Sequence, residues 1–231
     1  MSDMISTQYN AIANVFSEQA KTLSHSNRTA FYSILDFDFT KKRLLDVGCA
    51  DGYDLEEYQK RGASVYGLDA AKEMIGKAKQ RIPTANLSIG NMENLPYGDN
   101  YFDIVVSKYA LQISKDLSKV IAEITRVLKP GGIFAYLSDH PFRQFLEKKK
   151  NGKDYFLQEL VETTFFNGEV TVIEPSHTMN EYLSPYFLAH YRLLHFEEQA
   201  DCTTEKINGD TYPGFFMVKA QKLSQVLPGY E

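Results

Sequence analysis

Short apolar runs alternate with stretches of helical character along the middle of this chain. Each run has the length and composition of a buried strand, and the runs cover residues 43–47, 64–68, 102–106 and 133–137. The helical stretches cover residues 54–61, 71–81 and 116–128. Strands that alternate with helices of about ten residues need right-handed crossovers, which place helices on both faces of a parallel sheet. The pattern therefore predicts an α/β protein with a doubly wound, mostly parallel sheet.

The third helical stretch has the clearest apolar face. Its apolar residues follow the i, i+3, i+4, i+7 spacing, whereas its charged residues fall elsewhere. Each stretch is followed by glycine or proline, at Gly62, at Pro83 and in the run Lys-Pro-Gly-Gly at 129–132. We therefore expect residues 129–132 to form a turn before the strand at 133–137.

Four regions are distinguished along the chain. A length of 231 residues fits one large domain, 1–231, at about 150 residues per domain. We expect a helical cap at 1–40, a core of alternating strands and helices at 41–140, an insertion after the fifth strand at 141–192 and antiparallel edge strands at 193–222. Within the insertion, residues 169–173 resemble a strand, and the lysines at 148–150 are expected to form a solvated loop rather than a phosphate site.

Composition and charge exclude several classes of function. The 25 Lys and Arg residues against 30 Asp and Glu residues give a formal net charge of −5, which disfavours a nucleic-acid partner. Cys49 and Cys202 have neither a metal-ligand spacing nor a disulfide framework, so no metal is expected. No stretch approaches the roughly 18 apolar residues of a membrane span, and the first residues lack a signal-peptide pattern. We therefore expect a cytoplasmic protein without a membrane span.

A glycine-bearing turn follows the first predicted strand. Gly48 and Gly52 have the spacing G-x-x-x-G, and Ala50 and Tyr53 stand where a dinucleotide fingerprint has glycine. A turn at this place puts backbone N–H groups and open space at the carboxyl edge of the sheet, where α/β folds bind ligands. The alternative is a tight strand-to-helix connection without a ligand.

A carboxylate lies at the tip of the second predicted strand. Asp69 comes about twenty residues after Gly48, and a carboxylate there can accept both hydrogen bonds of a ribose diol. Asp69 also suits the N-cap of the next helix, and the two roles are compatible. Asp46 and Asp51 add negative charge that disfavours a pyrophosphate but suits a cation. The turn therefore predicts a site for a cationic nucleoside.

These motifs resemble the class I S-adenosylmethionine-dependent methyltransferases, in particular the branch that includes ubiquinone and menaquinone methyltransferases. The resemblance covers residues 8–138 and rests on four ordered motifs, at 45–52, 67–69, 90–103 and 128–132. It implies S-adenosyl-L-methionine as cofactor and S-adenosyl-L-homocysteine as product. It also implies a Rossmann-like, doubly wound sheet of seven mostly parallel strands.

The resemblance implies roles for residues around the methionine and ribose parts of the cofactor. The turn from Gly48 through Cys49 and Ala50 to Gly52 would hold the methionine part. Asp46 would lie near its ammonium group, directly or through water. Asp69 would bind the ribose hydroxyls. Family members often have a third glycine where this chain has Ala50.

A second set of roles concerns the adenine and the methyl group. Ala70 and Met74 would line the adenine pocket, and Asn91 and Met92 would contact the adenine edge. Ser107, after the fourth strand, would face the methyl group. Family members often have Asp where this chain has Asn91, whose carbonyl can still contact an adenine amine.

The acceptor side offers fewer signals. His140, at the end of the fifth strand, is the first candidate for a general base, and His177 in the insertion is the next. Tyr9 and Phe16 would form an N-terminal lid over an acceptor pocket to which Tyr186 contributes. The alternatives are that His140 is satisfied by loop backbone and that the aromatic residues around 182–196 are core.

The resulting hypothesis is an S-adenosylmethionine-dependent methyltransferase that transfers a methyl group, by in-line displacement, to an oxygen, nitrogen or carbon atom of a small-molecule acceptor. One alternative is a methyltransferase that acts on RNA or protein. Another is a protein that binds the cofactor without methylating, such as a cyclase or a regulatory module. A nicotinamide oxidoreductase is disfavoured by the missing glycines, and a monomer or homodimer is expected.

Overall fold

The structure is a computed structural model that describes residues 2–23, 25–150, 154–200 and 211–226. Its helices within these ranges are α1 Ser2–Leu23, α2 His25–Ile34, α3 Tyr53–Lys60, α4 Lys72–Arg81, α5 Leu117–Val127, α6 Pro141–Arg143, α7 Met179–Tyr182 and α8 Pro185–His190. Its strands are β1 Arg43–Val47, β2 Ser64–Asp69, β3 Asn86–Ile89, β4 Phe102–Lys108, β5 Leu128–Asp139, β6 Leu160–Phe165, β7 Val170–Pro175, β8 Tyr191–Gln199 and β9 Phe215–Lys222.

Seven of these strands form one sheet in the order β3, β2, β1, β4, β5, β9, β8. The first five are parallel to their neighbours, and β9 is antiparallel to both β5 and β8. The predicted doubly wound, mostly parallel sheet of seven strands with an antiparallel edge pair is therefore confirmed. The carboxyl ends of β1, β2 and β4 meet at one edge of the sheet, which positions the site described below.

The sheet has a separate apolar core on each face. Successive strand residues point to opposite faces, so Leu45 packs in the cluster around α5, whereas Leu44 packs in the cluster around α2 and α3. The predicted face of α5 is buried, and Asp116 caps that helix by accepting a hydrogen bond from the backbone N–H of Lys119 at 3.1 Å.

Residues 129–132 differ from the expected turn. The strand β5 begins at Leu128, directly after α5, and the pairing with β4 shifts between Phe102, which faces Leu128, and Ile104, which faces Ile133. The Lys-Pro-Gly-Gly run is therefore an irregularity inside the strand. Gly132 is required there, because a Cβ atom would lie 2.9 Å from the backbone oxygen of Asp103.

Two helices precede the sheet, as the pattern of the first forty residues predicts. The first helix, α1, packs over α4 through a cluster that contains Ala13, Ala71 and Met74. The side chain of Asn10 accepts a hydrogen bond from the backbone N–H of Glu73 at 2.9 Å, in the first turn of α4. The N-terminal helix is thereby fixed above the carboxyl edge of β2.

The segment between β5 and β8 contains an antiparallel hairpin of β6 and β7, followed by the two short helices α7 and α8. The expected solvated loop at 148–150 is wrong for two of its three lysines. Lys148 and Lys149 are buried, because the first pairs with Asp139 and Glu174 and the second donates to backbone carbonyls; Lys150 is exposed.

The described helices and Cys49 bear on the expectations about a membrane span and about the cysteines. No helix in the described ranges combines the length and the apolar character needed to cross a membrane. Cys49 is a free, buried thiol, and Cys202 lies outside the described residues.

Candidate active site

A cavity of about 700 Å³ lies at the carboxyl ends of β1, β2 and β4. Its volume falls within the range of about 300–1,000 Å³ typical of small-molecule pockets. One wall is formed by the turn after β1 and by the loops after β2, β3 and β4. The other wall is formed by α1, the end of β5, the helical residues after it, and β6 with the turn into β7. We call these the sheet-edge wall and the hairpin wall.

The glycine turn has the backbone conformation that its sequence predicts. Gly48 has φ +79° and Gly52 has φ +75°, and a Cβ atom on Gly48 would lie 2.2 Å from Cβ of Ala110. The N–H groups of Gly48 and Cys49 both donate to the carbonyl of Leu68, at 2.8 and 3.1 Å. The turn is thereby tied to the end of β2, and Gly48 and Cys49 line the cavity.

Asp69 joins the ends of two strands. Its Oδ2 accepts a hydrogen bond from the N–H of Ala50 at 3.0 Å, and its Oδ1 accepts one from the N–H of Ala71 at 2.8 Å. Burial raises the pKa of this carboxyl to about 6, against the opposing effect of the backbone N–H donors. Asp69 lines the cavity, but the prediction that it is the N-cap of α4 is wrong, because the N-cap is Ala71 and that helix has no side-chain cap.

Asp46 and Asp54 form the acidic end of the sheet-edge wall. Burial, together with the charge of Asp54, raises the pKa of Asp46 well above its ordinary value, and Lys108 opposes this effect. Asp54 is paired with Arg28 at 2.9 Å and with Lys108 at 2.8 Å. Burial raises the pKa of Asp54, but Lys108 and Arg28 bring it below its ordinary value. All four groups line the cavity.

Asp51 has a structural connection that the sequence does not reveal. Its Oδ2 accepts a hydrogen bond from the hydroxyl of Ser17 at 2.6 Å and forms an ion pair with Arg81 at 2.6 Å. The carboxylate therefore links α1, the turn and α4. Because Arg81 compensates its charge, Asp51 contributes less to the predicted negative field than Asp46 or Asp69.

The residues assigned to adenine and methyl contacts fall into two groups. Ala70, Asn91 and Met92 line the cavity, and Asn91 Oδ1 accepts a hydrogen bond from the N–H of Glu93 at 2.9 Å. Met74 is fully buried beneath α1, and Ser107 is fully buried and donates to the carbonyl of Val47 at 2.8 Å. The structure does not place Met74 or Ser107 on the cavity wall.

Tyr9 and Phe16 line the cavity from α1, as the lid hypothesis expects. The Phe16 ring makes an edge contact with Phe166 of the hairpin wall, with ring centroids 5.7 Å apart. The Tyr9 hydroxyl has no hydrogen-bond partner among the described residues. Burial, followed by the charges of Glu174 and Asp69, raises its pKa.

The remaining acceptor-side candidates lie away from the cavity wall. His140 is buried; its Nδ1 accepts from the N–H of Phe142 at 3.0 Å and its Nε2 bonds to Glu198 at 2.7 Å. Burial lowers the pKa of His140, against the effect of Glu198. His177 is buried between other polar groups, and Tyr186 is partly exposed and stacks on His190.

The aromatic run after the hairpin is core. Tyr182, Phe187 and Tyr191 are buried in the same cluster as Phe134 and Tyr136 of β5. These three residues therefore belong to the hydrophobic core, as the alternative interpretation of the sequence held, and they do not line the cavity.

The sequence analysis missed the polar groups of the hairpin wall. Asp139 and Lys148 line the cavity, and Lys148 Nζ bonds to Asp139 at 2.5 Å, Thr163 at 2.8 Å and Glu174 at 3.2 Å. Asp139 immediately precedes His140. Successive side chains of an extended strand point to opposite sides, so the sequence could have indicated that only one of Asp139 and His140 would face the cavity.

Comparison with known proteins agrees with this geometry. Residues 45–136 match the family model described as a methyltransferase domain. An uncharacterised methyltransferase of Synechocystis sp. is 39% identical over 101 residues, which cover 43% of this chain and 48% of that protein. A malonyl-[acyl-carrier protein] O-methyltransferase of Hamiltonella defensa is 31% identical over 131 residues, which cover 54% of this chain and 51% of that protein. The chain thus spans about half the length of the curated relatives that it matches.

A solved structure shows the same fold over most of the chain. The S-adenosylmethionine-dependent methyltransferase from Mesorhizobium loti superposes with a TM-score of 0.68 at 22% identity and covers 84% of this chain and 96% of its own. Residues 45–136 thus match a methyltransferase domain, and the fold is the one seen in solved S-adenosylmethionine-dependent methyltransferases.

Proposed function

We propose that this protein transfers a methyl group from S-adenosylmethionine to a small-molecule acceptor held in the cavity. The observation that carries the proposal is that one cavity joins the sheet-edge wall, with Gly48 and Asp69, to the hairpin wall, with Asp139 and Lys148. A cofactor on the first wall and an acceptor on the second would share one enclosed space. Methyl transfer depends mainly on holding the two reactants in line in such a water-poor space.

The sheet-edge wall fits a cationic nucleoside. When bound, S-adenosylmethionine supplies a sulfonium, which is an activated methyl donor. In this proposal the turn from Gly48 to Gly52 holds the methionine part, with Asp46 near its ammonium group. Asp69 accepts the ribose hydroxyls. The buried carboxyl of Asp46 and the half-buried carboxyl of Asp69 favour a ligand with positive charge.

The adenine is proposed to lie against Ala70, Asn91 and Met92. All three line the cavity beyond the end of β2. Met92 offers an apolar surface, and the side chain of Asn91 offers polar contacts to the ring edge. Met74 stabilises this region from behind, through its packing with Ala71.

A small acceptor is supported by the way in which α1 and the hairpin cover the cavity. Gln8 exchanges two hydrogen bonds with the backbone of Ile173, donating to the carbonyl at 3.2 Å and accepting from the N–H at 2.7 Å. With the contact between Phe16 and Phe166, these bonds hold the lid against the hairpin. A folded RNA or protein is disfavoured by this cover, and RNA also by the net charge of −5.

The regions keep their predicted roles in this proposal. Residues 41–140 bind the cofactor and residues 141–192 provide the acceptor side. The cytoplasmic location and the monomeric or homodimeric state stay predictions.

The experiment is to incubate the protein with methyl-labelled S-adenosylmethionine and a desalted, fractionated extract of its source organism. We expect label in low-molecular-weight material, and none with the Asp69→Ala variant. Label confined to RNA or protein would replace the proposed acceptor class. No label in any fraction, with cofactor binding demonstrated by calorimetry, would instead support a protein that binds the cofactor without methylating.

A further inference from the structure

We propose that the acceptor is an amine, and that Asp139 binds its ammonium group and takes its proton. This inference rests on the proposed methyl transfer and names the substrate class of the same cavity. It starts from the position of Asp139, which is the last residue of β5 and lines the hairpin wall. Tyr9 lines the same cavity as both Asp69 and Asp139.

Lys148 fixes Asp139 without offering a donor to a ligand. An ammonium group has three N–H donors, and those of Lys148 are directed to Asp139, Thr163 and Glu174. All four side chains are buried. Lys148 is therefore a positioning residue that holds the carboxylate of Asp139 in one orientation, and it is not an anion site.

One oxygen of Asp139 remains able to accept a hydrogen bond from a bound molecule. Oδ2 is bonded to Lys148, whereas Oδ1 lies 3.8 Å from Nη1 of Arg143 and accepts no hydrogen bond within the described ranges. Arg143 is itself engaged with Glu147, at 3.0 Å. Oδ1 is therefore the atom that can receive an N–H group of the acceptor.

The charge of the hairpin wall favours a cation over an anion. The charged side chains of this wall that line the cavity are three carboxylates, Asp139, Glu147 and Glu162, and two cations, Arg143 and Lys148. An excess carboxylate in a partly desolvated place is compensated by a bound ammonium group. A carboxylate acceptor would add to the negative charge.

The proton transfer uses groups that are present. The bound ammonium gives one proton to Oδ1 of Asp139, so an N–H bond breaks, an O–H bond forms and the nitrogen gains a free electron pair. That nitrogen forms the new bond to the methyl carbon, while the pair of the broken carbon–sulfur bond returns to sulfur. Product release lets Asp139 lose its proton to water.

The test measures binding, so it does not depend on the natural acceptor. The protein is loaded with S-adenosylhomocysteine, and its affinities for 2-phenylethylamine, 2-phenylethanol and phenylacetate are measured by NMR titration. The shared ring suits the apolar part of the cavity near Phe16 and Phe166. We expect the amine to bind at least tenfold more tightly than the alcohol or the carboxylate, and Asp139→Asn to remove this preference.

Two further variants make the outcome decisive. Glu198→Gln is the matched control, because Glu198 bonds to the neighbouring His140 away from the cavity wall and should leave amine binding unchanged. If Asp139→Asn does not fold, Asp139→Asn/Lys148→Met/Glu174→Gln removes the three linked charges together and should fold without amine preference. The inference is overturned if the amine fails to bind, if phenylacetate binds as tightly, or if Asp139→Asn keeps the preference. Failure to bind S-adenosylhomocysteine at all would instead overturn the proposed function.

Discussion

The backbone N–H of Ala50 donates a 3.0 Å hydrogen bond to Oδ2 of Asp69, which connects the turn after β1 to the end of β2. The other carboxylate oxygen binds the N–H of Ala71. A single half-buried side chain thus holds two loops of the sheet-edge wall in register. The ribose of the proposed cofactor would meet a carboxylate that the backbone has already oriented.

Asp69→Ala is expected to weaken the binding of S-adenosylhomocysteine by about 2–3 kcal/mol, because two hydrogen bonds to a charged group are lost. Isothermal titration calorimetry measures the change. Asp38→Ala is the matched control, since Asp38 bonds to the backbone N–H of Thr40 in an exposed turn. An unchanged affinity in a folded Asp69→Ala variant would reject the assignment of the ribose site.

The binding of a nucleoside should depend on pH through the carboxyl of Asp69. Burial raises its pKa to about 6, and a ribose diol needs the ionised form as acceptor. Affinity should therefore be nearly constant above pH 7 and about tenfold weaker at pH 5, since each pH unit below the pKa costs about 1.4 kcal/mol.

The measurement uses 5′-methylthioadenosine, which lacks the amino acid part of the cofactor and its titrating groups. Asp69→Asn should give a flat profile over the same range. The free energy of unfolding changes with pH in the opposite direction to the affinity. Protonated Asp69 stabilises the folded protein below pH 3.8, and this contribution is lost as the pH rises to about 6. A wild-type affinity that rises towards pH 5 would contradict the prediction.

Ala50→Gly should stabilise the protein by about 0.5–1 kcal/mol. Ala50 has φ +45°, a left-handed conformation that costs an L-residue roughly 1–2 kcal/mol. Glycine removes this strain, but its greater conformational entropy in the unfolded chain cancels a part of the gain. Urea denaturation measures the difference. Ala11→Gly, at an exposed position inside α1, is the control and should destabilise by about 1 kcal/mol. Destabilisation by Ala50→Gly would show that the methyl group packs better than the backbone strain suggests.

His140→Ala should lower the free energy of unfolding by about 1–2 kcal/mol and leave the affinity for S-adenosylhomocysteine unchanged. The side chain caps α6 and bonds to Glu198, and it lies away from the cavity wall. Labelled methyl transfer to the extract fraction should continue at the wild-type rate. A more than tenfold loss of transfer by folded His140→Ala protein would restore His140 as the general base.

The fold was predictable where burial is local to the sequence. The strands near Leu45, Leu68 and Val105 are apolar runs because both of their faces are covered. β3 was not recognised, because its residues 86–89 lie at the sheet edge and alternate in no clear pattern of burial. The positions of the glycine turn and Asp69 were predictable because they follow from spacing along one βαβ unit.

The hairpin wall was not predictable, because long-range contacts build it. Lys148 is one of three consecutive lysines, and nothing nearby in the sequence shows that Glu174 and Asp139 bury it. Gln8 meets Ile173, which is 165 residues away in the chain. Whether Asp139 or His140 faces the cavity depends on the exact register and end of β5. The sequence predicts the end of a strand only to within a residue or two.

Lys148→Met should destabilise the protein by about 3–5 kcal/mol. The substitution keeps the length and apolar stem of the side chain but leaves Asp139 and Glu174 buried without their cation. Lys150→Met is the matched control, since Lys150 pairs with Glu162 at an exposed position and should cost less than about 1 kcal/mol. Adding Asp139→Asn and Glu174→Gln to Lys148→Met should recover most of the loss, because no unpaired charge then remains. Equal losses in the Lys148 and Lys150 variants, measured by urea denaturation, would mean that water reaches the cluster and that Asp139 is not held as the structure indicates.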